Sequence, residues 1–416
     1  MKKIISFAVI SIMAVSAFAT PSAKSFFFAD SYMLRANGVE ANYWNPAKLS
    51  ANNDSDIWLP LGNSGVQISN NALDLDTYNF FVSADTLNAE GKERILKDMD
   101  GSIDFNSTAN ISLIGVTMGN TAISASGHFH GKGMLSEDFL RLALYGNTEE
   151  EYRFNKDTNN ASALSYIDVT YGIGDIIVPY IPENIPQIKA GFAASLLTGI
   201  ACVETHKFDV LFRSTEDEGA SLDSDIELRT GVLGAGFKGM LGLYSEITPW
   251  LETGITVDNI AGFIKWGLSK DIIHYYASAD SVYISNADTD IFTQGNERYK
   301  SGAFTTNLGT EMRLAALVKH KYATLSADWV QGFSNTVNSS KVGRLSFGAG
   351  FMPTPFLPLS LGISLPNSSN PLKVSYGLGL KSKSSEISLA IQSYDSLFPG
   401  YKSKGISFGT ALRIWF

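Results

Sequence analysis

The stretch that decides the fold closes the chain: Gly405-Ile406-Ser407-Phe408-Gly409-Thr410-Ala411-Leu412-Arg413-Ile414-Trp415-Phe416. Counted back from the end, one face carries Phe416, Ile414, Leu412, Thr410, Phe408 and Ile406, and the other carries Arg413, Ala411, Gly409, Ser407 and Gly405. Side chains alternate across a β-strand, so this is a strand with one apolar face and one small or polar face. A strand of a soluble sandwich would alternate in the same way. What a sandwich does not predict is the repetition upstream. Leu372, Val374, Tyr376, Leu378 and Leu380 oppose Lys373, Ser375, Gly377, Gly379 and Lys381; Leu357 to Leu365 oppose Pro358 to Ser364; Ile387, Leu389 and Ile391 oppose Glu386, Ser388, Ala390 and Gln392. Further back, Leu251, Thr253, Ile255 and Val257 oppose Glu252, Gly254, Thr256 and Asp258. These segments are nearer in length to the tilted strands of roughly 9–11 residues that cross a bilayer than to the strands of about five or six in soluble sheets.

The pattern predicts an all-β protein: a closed antiparallel transmembrane barrel with one face to lipid and the other to a polar lumen. Fifteen segments read as strands, at 108–119, 121–131, 163–176, 186–199, 202–214, 224–238, 239–248, 250–260, 304–318, 321–332, 342–353, 356–366, 371–382, 384–394 and 404–416. Bacterial single-chain barrels close with an even number, so fourteen is the expected count, with twelve or sixteen allowed. Residues 214–224, rich in acid, read as a long outer loop, and 262–303 as a polar insertion that faces out. Two stretches read as helices: Leu87 to Met99, and a segment capped by Ser136 with Phe139, Leu140, Leu142, Ala143 and Leu144 as its apolar members.

Composition agrees. Aromatic residues make up 12% and there are 37 glycines, which suits many strands and tight turns, and the mean hydropathy of +0.03 is what alternation in a membrane strand gives. The net charge of −9 argues against a nucleic-acid partner, which needs clustered Lys and Arg. The single cysteine, Cys202, excludes an intrachain disulfide. At the N-terminus Lys2 and Lys3, an apolar run from Ile4 to Val15 and Ala17-Phe18-Ala19 have the layout of a secretory signal peptide, so cleavage is expected after Ala19. The expected organisation is a signal peptide at 1–19, an N-terminal plug or extension at 20–106 and a barrel at 107–416. The expected location is the outer membrane of a Gram-negative-type bacterium, with membrane lipid and the barrel assembly machinery, engaged through the C-terminal strand and Phe416, as partners.

Motifs for chemistry fail on context. Gly234-Ala235-Gly236-Phe237-Lys238-Gly239 has dinucleotide-fingerprint spacing, but Gly242 and Pro249 interrupt any helix after it. Gly405-Ile406-Ser407-Phe408-Gly409 matches a nucleophile elbow, but Ser407 sits inside the last strand and no histidine follows. His128 and His130 share one strand face without an acidic neighbour in sequence, and read as polar lumen residues. Asp280, Asp288 and Asp290 lack the glycine-punctuated spacing of a calcium loop. No catalytic residue, cofactor or metal is expected. The lumen charges Lys189, Glu252, Glu311, Arg313, Lys373, Lys381, Glu386 and Arg413 carry both signs, which suits an interior whose charges pair with one another better than an ion-selective pore.

Arg35-Ala36-Asn37-Gly38-Val39-Glu40-Ala41-Asn42-Tyr43-Trp44-Asn45-Pro46-Ala47-Lys48-Leu49 resembles the N-terminal motif of the long-chain fatty-acid transporter (FadL-type) superfamily of outer-membrane barrels, where small residues lead into Asn-Pro-Ala. The Trp before Asn-Pro is closer to branches of uncharacterised function and to barrel subunits of a Bacteroidetes-type secretion system. Trp250 to Asn259 resembles a strand of the superfamily, and the helix at Leu87 to Met99 has a counterpart there. The resemblance implies a fourteen-stranded barrel whose N-terminal segment folds into the lumen as a plug and which passes hydrophobic molecules by diffusion. Trp44, Asn45 and Pro46 are then the plug or gate candidates, and Phe139, Leu140 and Leu142 a first contact for apolar cargo. The alternative is a structural or secretion-associated barrel that serves as a docking platform.

Overall fold

The computed structural model describes residues 23–50, 56–83, 88–97, 99, 101–147, 149–182, 185–215, 219–282 and 292–416. The signal-peptide cleavage site, Asp288 and Asp290 lie outside the described residues.

Among the described residues, eighteen strands form one antiparallel sheet. They are β1 (Asp56–Trp58), β2 (Asn63–Asn70), β3 (Ser102–Met118), β4 (Thr121–Ser136), β5 (Glu151–Asn155), β6 (Asn160–Ile177), β7 (Ile188–Thr215), β8 (Gly219–Thr248) and β9 (Leu251–Val282). There follow β10 (Phe292–Lys300), β11 (Phe304–Asn307), β12 (Glu311–Lys319), β13 (Ala323–Gly332), β14 (Arg344–Thr354), β15 (Leu357–Ser364), β16 (Lys373–Lys381), β17 (Ser385–Tyr394) and β18 (Gly405–Trp415). Several are pieces of one wall position. β1 and β2 both lie between β18 and β3, β5 and β6 both pair with β7, and β10, β11 and β12 all pair with β9. The ring therefore has fourteen positions, closed where Phe408 on β18 faces Val66 on β2.

Closure corrects the expected boundary at residue 107. The first wall position is made by β1 at 56–58 and β2 at 63–70, and β3 begins at Ser102, so the barrel includes residues assigned to the plug. Asn63-Ser64-Gly65-Val66-Gln67-Ile68-Ser69-Asn70 is too polar to announce a strand alone, but between β18 and β3 its backbone groups are paired on both edges. The count also corrects the fifteen segments. Segments 186–199 and 202–214 are one strand, β7, and 224–238 and 239–248 are one strand, β8.

The largest correction concerns the expected outer loop and polar insertion. β7, β8 and β9 have 28, 30 and 32 residues, about three times what a bilayer crossing needs, so their upper parts stand beyond the membrane as a sheet continued by β10. One face of β7 and β8 there packs on β5 and the helix at Glu137–Tyr145 through Phe208, Val210, Phe212, Leu222 and Ile226, whereas the upper part of β9, with β10, is rich in polar and charged residues and does not show the apolar alternation that marks a membrane strand. Cross-strand pairs replace it: Arg298 and Lys300 reach Asp271 at 2.6 and 2.9 Å, and His274 reaches Asp225 at 3.1 Å.

Both expected helices form. The helix α1 (Ala41–Trp44) belongs to the plug; α2 (Leu75–Ser83), α3 (Ala89–Leu96) and α4 (Glu137–Tyr145) lie at the outer rim. Asn88 accepts from Gly91 N at 2.8 Å, and Ser136 from Phe139 N at 3.4 Å, as N-caps. Leu96 and Leu140 pack on Ile103 and Phe105 of β3, on the outward face of the wall, so the helices form a collar on the outside.

The faces assigned from sequence hold at the C-terminus. Ile406 and Phe408 are exposed, Ser407, Gly409 and Ala411 are buried, and Phe416 is 74% exposed at the rim. A charge on the lipid stripe costs up to about 2–4 kcal/mol, depending on depth. Phe416→Asp is accordingly expected to lower the yield of heat-modifiable barrel in membranes below that of Phe416→Leu. Equal yields would show that the terminal aromatic does not sit against lipid.

Candidate functional site

The lumen is occupied by the chain's own N-terminal segment, residues 23–50. It enters along β14 to β18, where Gln392 Nε2 donates to Phe26 O at 3.0 Å and the ring of Phe28 stacks under the Arg35 guanidinium at 4.0 Å. Ala29 and Asp30 adopt left-handed backbone (φ 49° and 70°), a costly turn that delivers Asp30 to Lys373 at 2.7 Å and Arg344 at 3.3 Å. Burial alone would raise the Asp30 carboxyl, but Lys373, Arg344 and Arg313 outweigh it and hold it at about 2. Gly38 (φ 60°) then turns the chain where a Cβ would overlap Asp56, which accepts from Val39 N at 2.9 Å and pairs with Arg413 at 2.7 Å.

Asn45 and Pro46 form the seat. Asn45 is extended (φ −159°, ψ 98°), as the residue before proline must be, and Pro46–Lys48 makes a 3-10 turn. Asn45 is fully buried; its Nδ2 donates to Leu243 O at 3.0 Å and its Oδ1 accepts from Ala47 N at 3.1 Å. A Cβ on Gly174 would overlap Pro46 O, one on Gly191 would overlap Ala47 N, and one on Gly242 would overlap Asn45 Oδ1. Three neighbouring strands are thus stripped of side chains so that the plug backbone can lie on the wall. The seat is near the end of the barrel that has the short turns, which is the periplasmic end in such proteins.

Neighbours of the motif fix its other side. Asn42 Nδ2 donates to Ser124 Oγ at 3.0 Å, and Tyr43 stacks on Trp58 at 5.7 Å while its hydroxyl donates to Asp168 at 3.0 Å. Trp44 packs edge-on to Tyr32 at 5.5 Å and lies under the Arg313 guanidinium at 4.6 Å. His128, read from sequence as a lumen residue, bridges Asn110 (2.7 Å) and Asp168 (3.0 Å) on the same inner face, which turns it from a bland residue into part of the plug's anchorage.

The lumen charges meet a partner that sequence did not assign. They were expected to pair with one another; most engage the plug or residues next to it. Lys373 binds Asp30, Glu386 binds Lys24 at 3.0 Å, Glu252 binds Lys48 at 2.8 Å as well as Lys319, and Arg313 donates to Asp30 O at 3.2 Å. Glu311 lines the cavity described below, Lys189 pairs with Asp175, and Lys381 is exposed at the rim with its ammonium 5.6 Å from the Trp415 ring.

Above the plug lies a cavity of about 290 Å³ bounded by Trp44, His130, Lys132, Glu311, Arg313 and Arg344. Lys132, Thr336 and Val337 also line an outer vestibule of about 640 Å³, with Asp104, Lys156 and Glu204 on its polar side and Leu164 and Cys202 on its apolar side. The two spaces lead from the outer end down to the plug. The apolar wall belongs to a cluster that the sequence reading missed: Trp266, fully buried, with Ile264, Leu197 and Phe304. A Cβ on Gly199, Gly231 or Gly234 would strike that Trp266 ring, and one on Gly236 would overlap Phe263 O, so two of the three glycines of the rejected dinucleotide pattern, Gly234 and Gly236, are wall positions without room for a side chain. The alternation Phe263-Ile264-Lys265-Trp266 was the available signal.

The proposed first contact for cargo is divided. Leu140 closes a small apolar pocket of about 40 Å³ with Ile95, Ile103 and Leu144, whereas Phe139 packs on Phe154 at 5.4 Å and Leu142 joins the same cluster with Val210. Phe139 and Leu142 are therefore taken up in packing against β5 and β7. Among the described residues, no three His, Cys, Asp or Glu side chains converge as metal ligands.

Fold and site together define a plugged, fourteen-stranded barrel of the outer-membrane type. The family described as "Family of unknown function (DUF5723)" matches residues 46–239, from Pro46 of the seat to Gly239 of β8. Similar solved structures include the toluene transporter TbuX of Ralstonia pickettii, at 12% identity and a TM-score of 0.45 over 92% of this chain and 95% of that one. The Pseudomonas putida toluene transporter TodX (12%, 0.44, 91% and 93%) and the CymD monoaromatic hydrocarbon channel (11%, 0.41, 91% and 92%) are also similar. No curated protein matches the sequence.

Proposed function

We propose that this protein passes small molecules through the outer membrane by diffusion, with the segment Arg35 to Leu49 as its gate. The observation that supports this most is the pair of adjoining cavities, which share Lys132, Thr336 and Val337 and reach from the outer vestibule to the plug, where the segment is held by hydrogen bonds and ion pairs on bare glycine backbone and by small apolar clusters. The hydrogen bonds can be exchanged for water at modest net cost, and the apolar clusters that accompany them are small. The cargo is a hydrophobic molecule that carries a polar or anionic group. Its apolar body lies along Leu164 and Cys202, and its polar group meets Lys132 and, lower down, Arg313 and Arg344. The apolar pocket under the collar is too small to receive cargo unless the helices part, so reception is assigned to the vestibule.

The test is the pair Asn45→Ala and Pro46→Ala in proteoliposomes. Loosening the seat is expected to raise leakage of small solutes and to lower uptake of a long-chain hydrophobic probe. Unchanged leakage and uptake, in a variant shown to be folded, would favour the second reading, a docking platform. The sheet that β7 to β10 raise beyond the membrane supports that reading, since passage alone does not need it.

A further inference from the structure

The outside of a barrel is convex, and a smooth convex wall gives a hydrocarbon chain nowhere to lodge. The panel formed by β3, β4, β6 and β7 departs from this with an apolar furrow of about 510 Å³. Its outward position follows from alternation. Ser124 accepts a bond from Asn42 of the plug and so faces in, as do Ser126 and His128, which leaves Gly127 and Phe129 facing out. The floor is Ala109, Gly127, Ala163 and Ala201, with Phe129 and Ile167 on the rims.

The concavity is built by two irregularities of register. β3 carries one extra residue, Leu113, where the pairing slips between Ser112 and Ile114, and β7 carries one extra, Ile200, opposite Ser165 and Tyr166. A bulge bends its strand and increases its twist. Both extra residues line the furrow, so the two bends act on the same stretch of wall.

We propose that this furrow holds one acyl chain of an outer-leaflet lipid as a resident ligand. Three observations choose that occupant. The furrow lies on the face that presents Ile123, Val169 and Leu196 to the membrane, where hydrocarbon is the solvent. The collar of α2, α3 and α4 packs on the same outward face of β3 and β4 directly above it, through Ile103, Phe105 and Leu140, and projects beyond the wall. The collar therefore bounds the panel at its outer end, toward the lipid headgroups, while the furrow below it is open to the hydrocarbon. Small side chains lie between larger apolar ones, with Ser165 and His128 as the polar residues of an otherwise apolar lining, which matches a methylene chain by chemistry. This site is separate from the lumen and does not depend on whether the protein transports.

The experiment fills the furrow. Ala163→Leu with Ala201→Leu adds bulk on the lipid face, where the fold does not need the space; Ala349→Leu, outward on β14 opposite the exposed Leu361, is the control. Each protein is extracted from membranes in mild detergent and its retained lipid counted by native mass spectrometry. Wild type and control are expected to keep one lipid, and the filled variant to retain it roughly tenfold less, the scale of losing contact for two methylenes. In parallel, wild-type protein in vesicles containing a phospholipid with a diazirine on its acyl chain is irradiated and the adducts mapped. Adducts concentrated at Phe129 and Ile167 support the site. Equal retention in all three proteins, or adducts spread evenly over the lipid-facing strands, would overturn it, and the mapping decides even if the filled variant fails to assemble.

Discussion

Replacing Gly242 by leucine is expected to unseat the plug while leaving the barrel closed. A Cβ at that position already overlaps Asn45 Oδ1, and the ring of Pro46 is beside it, so a leucine side chain has no room while Asn45 donates to Leu243 O. The wall around it is fixed by its pairing with β7 and β9, so the plug moves and the strand does not. Overpacking costs about 1–3 kcal/mol, which shifts the ratio of seated to unseated plug roughly 5- to 150-fold. Single-channel conductance and liposome swelling should rise accordingly. Gly267→Leu, at a position with open space around it, should leave both at the wild-type level. A Gly242 variant with wild-type conductance and intact heat modifiability would mean that the seat does not hold the plug.

Glu252→Leu is expected to have the largest effect on stability. Glu252 is buried at 2% exposure and binds Lys48 of the plug at 2.8 Å, with Lys319 on its other side. Its loss leaves the ammonium of Lys48 inside the lumen without its direct carboxylate partner, with the Leu34 carbonyl, the face of Tyr244 and the more distant charge of Glu246. Removing one partner of a buried pair costs about 3–5 kcal/mol, whereas removing both can be nearly neutral. Denaturant titration in vesicles should show the loss for Glu252→Leu and substantial recovery in the double variant with Lys48→Met. Lys381→Leu, at the exposed rim, should change stability by less than about 1 kcal/mol. If Glu252→Leu and Lys381→Leu shift the midpoint equally, the buried network does not hold the plug.

Legibility followed the solvent on each face. β16, β17 and β18 could be read residue by residue, because one side meets lipid and the other a packed lumen, and the difference is written as alternation. The upper part of β9 could not, because polar residues on both faces remove the contrast; Asp271 and His274 look like loop residues until β8 and β10 supply their partners. Asn63–Asn70 was missed because it becomes a strand only between β3 and β18, which lie far apart in the chain.

The sequence by itself determined a closed antiparallel wall, the inward and outward assignment of most of its residues, and a turn at Asn45-Pro46, because these depend on alternation and on the fixed φ of proline. Only the tertiary structure decided which charges meet. Asp30 and Lys373, Lys48 and Glu252, and Asp56 and Arg413 are hundreds of residues apart, and their pairing depends on the plug lying inside the ring. It also decided what Gly174, Gly191 and Gly242 are for: a missing side chain carries no sign in the sequence of what fills the space it leaves.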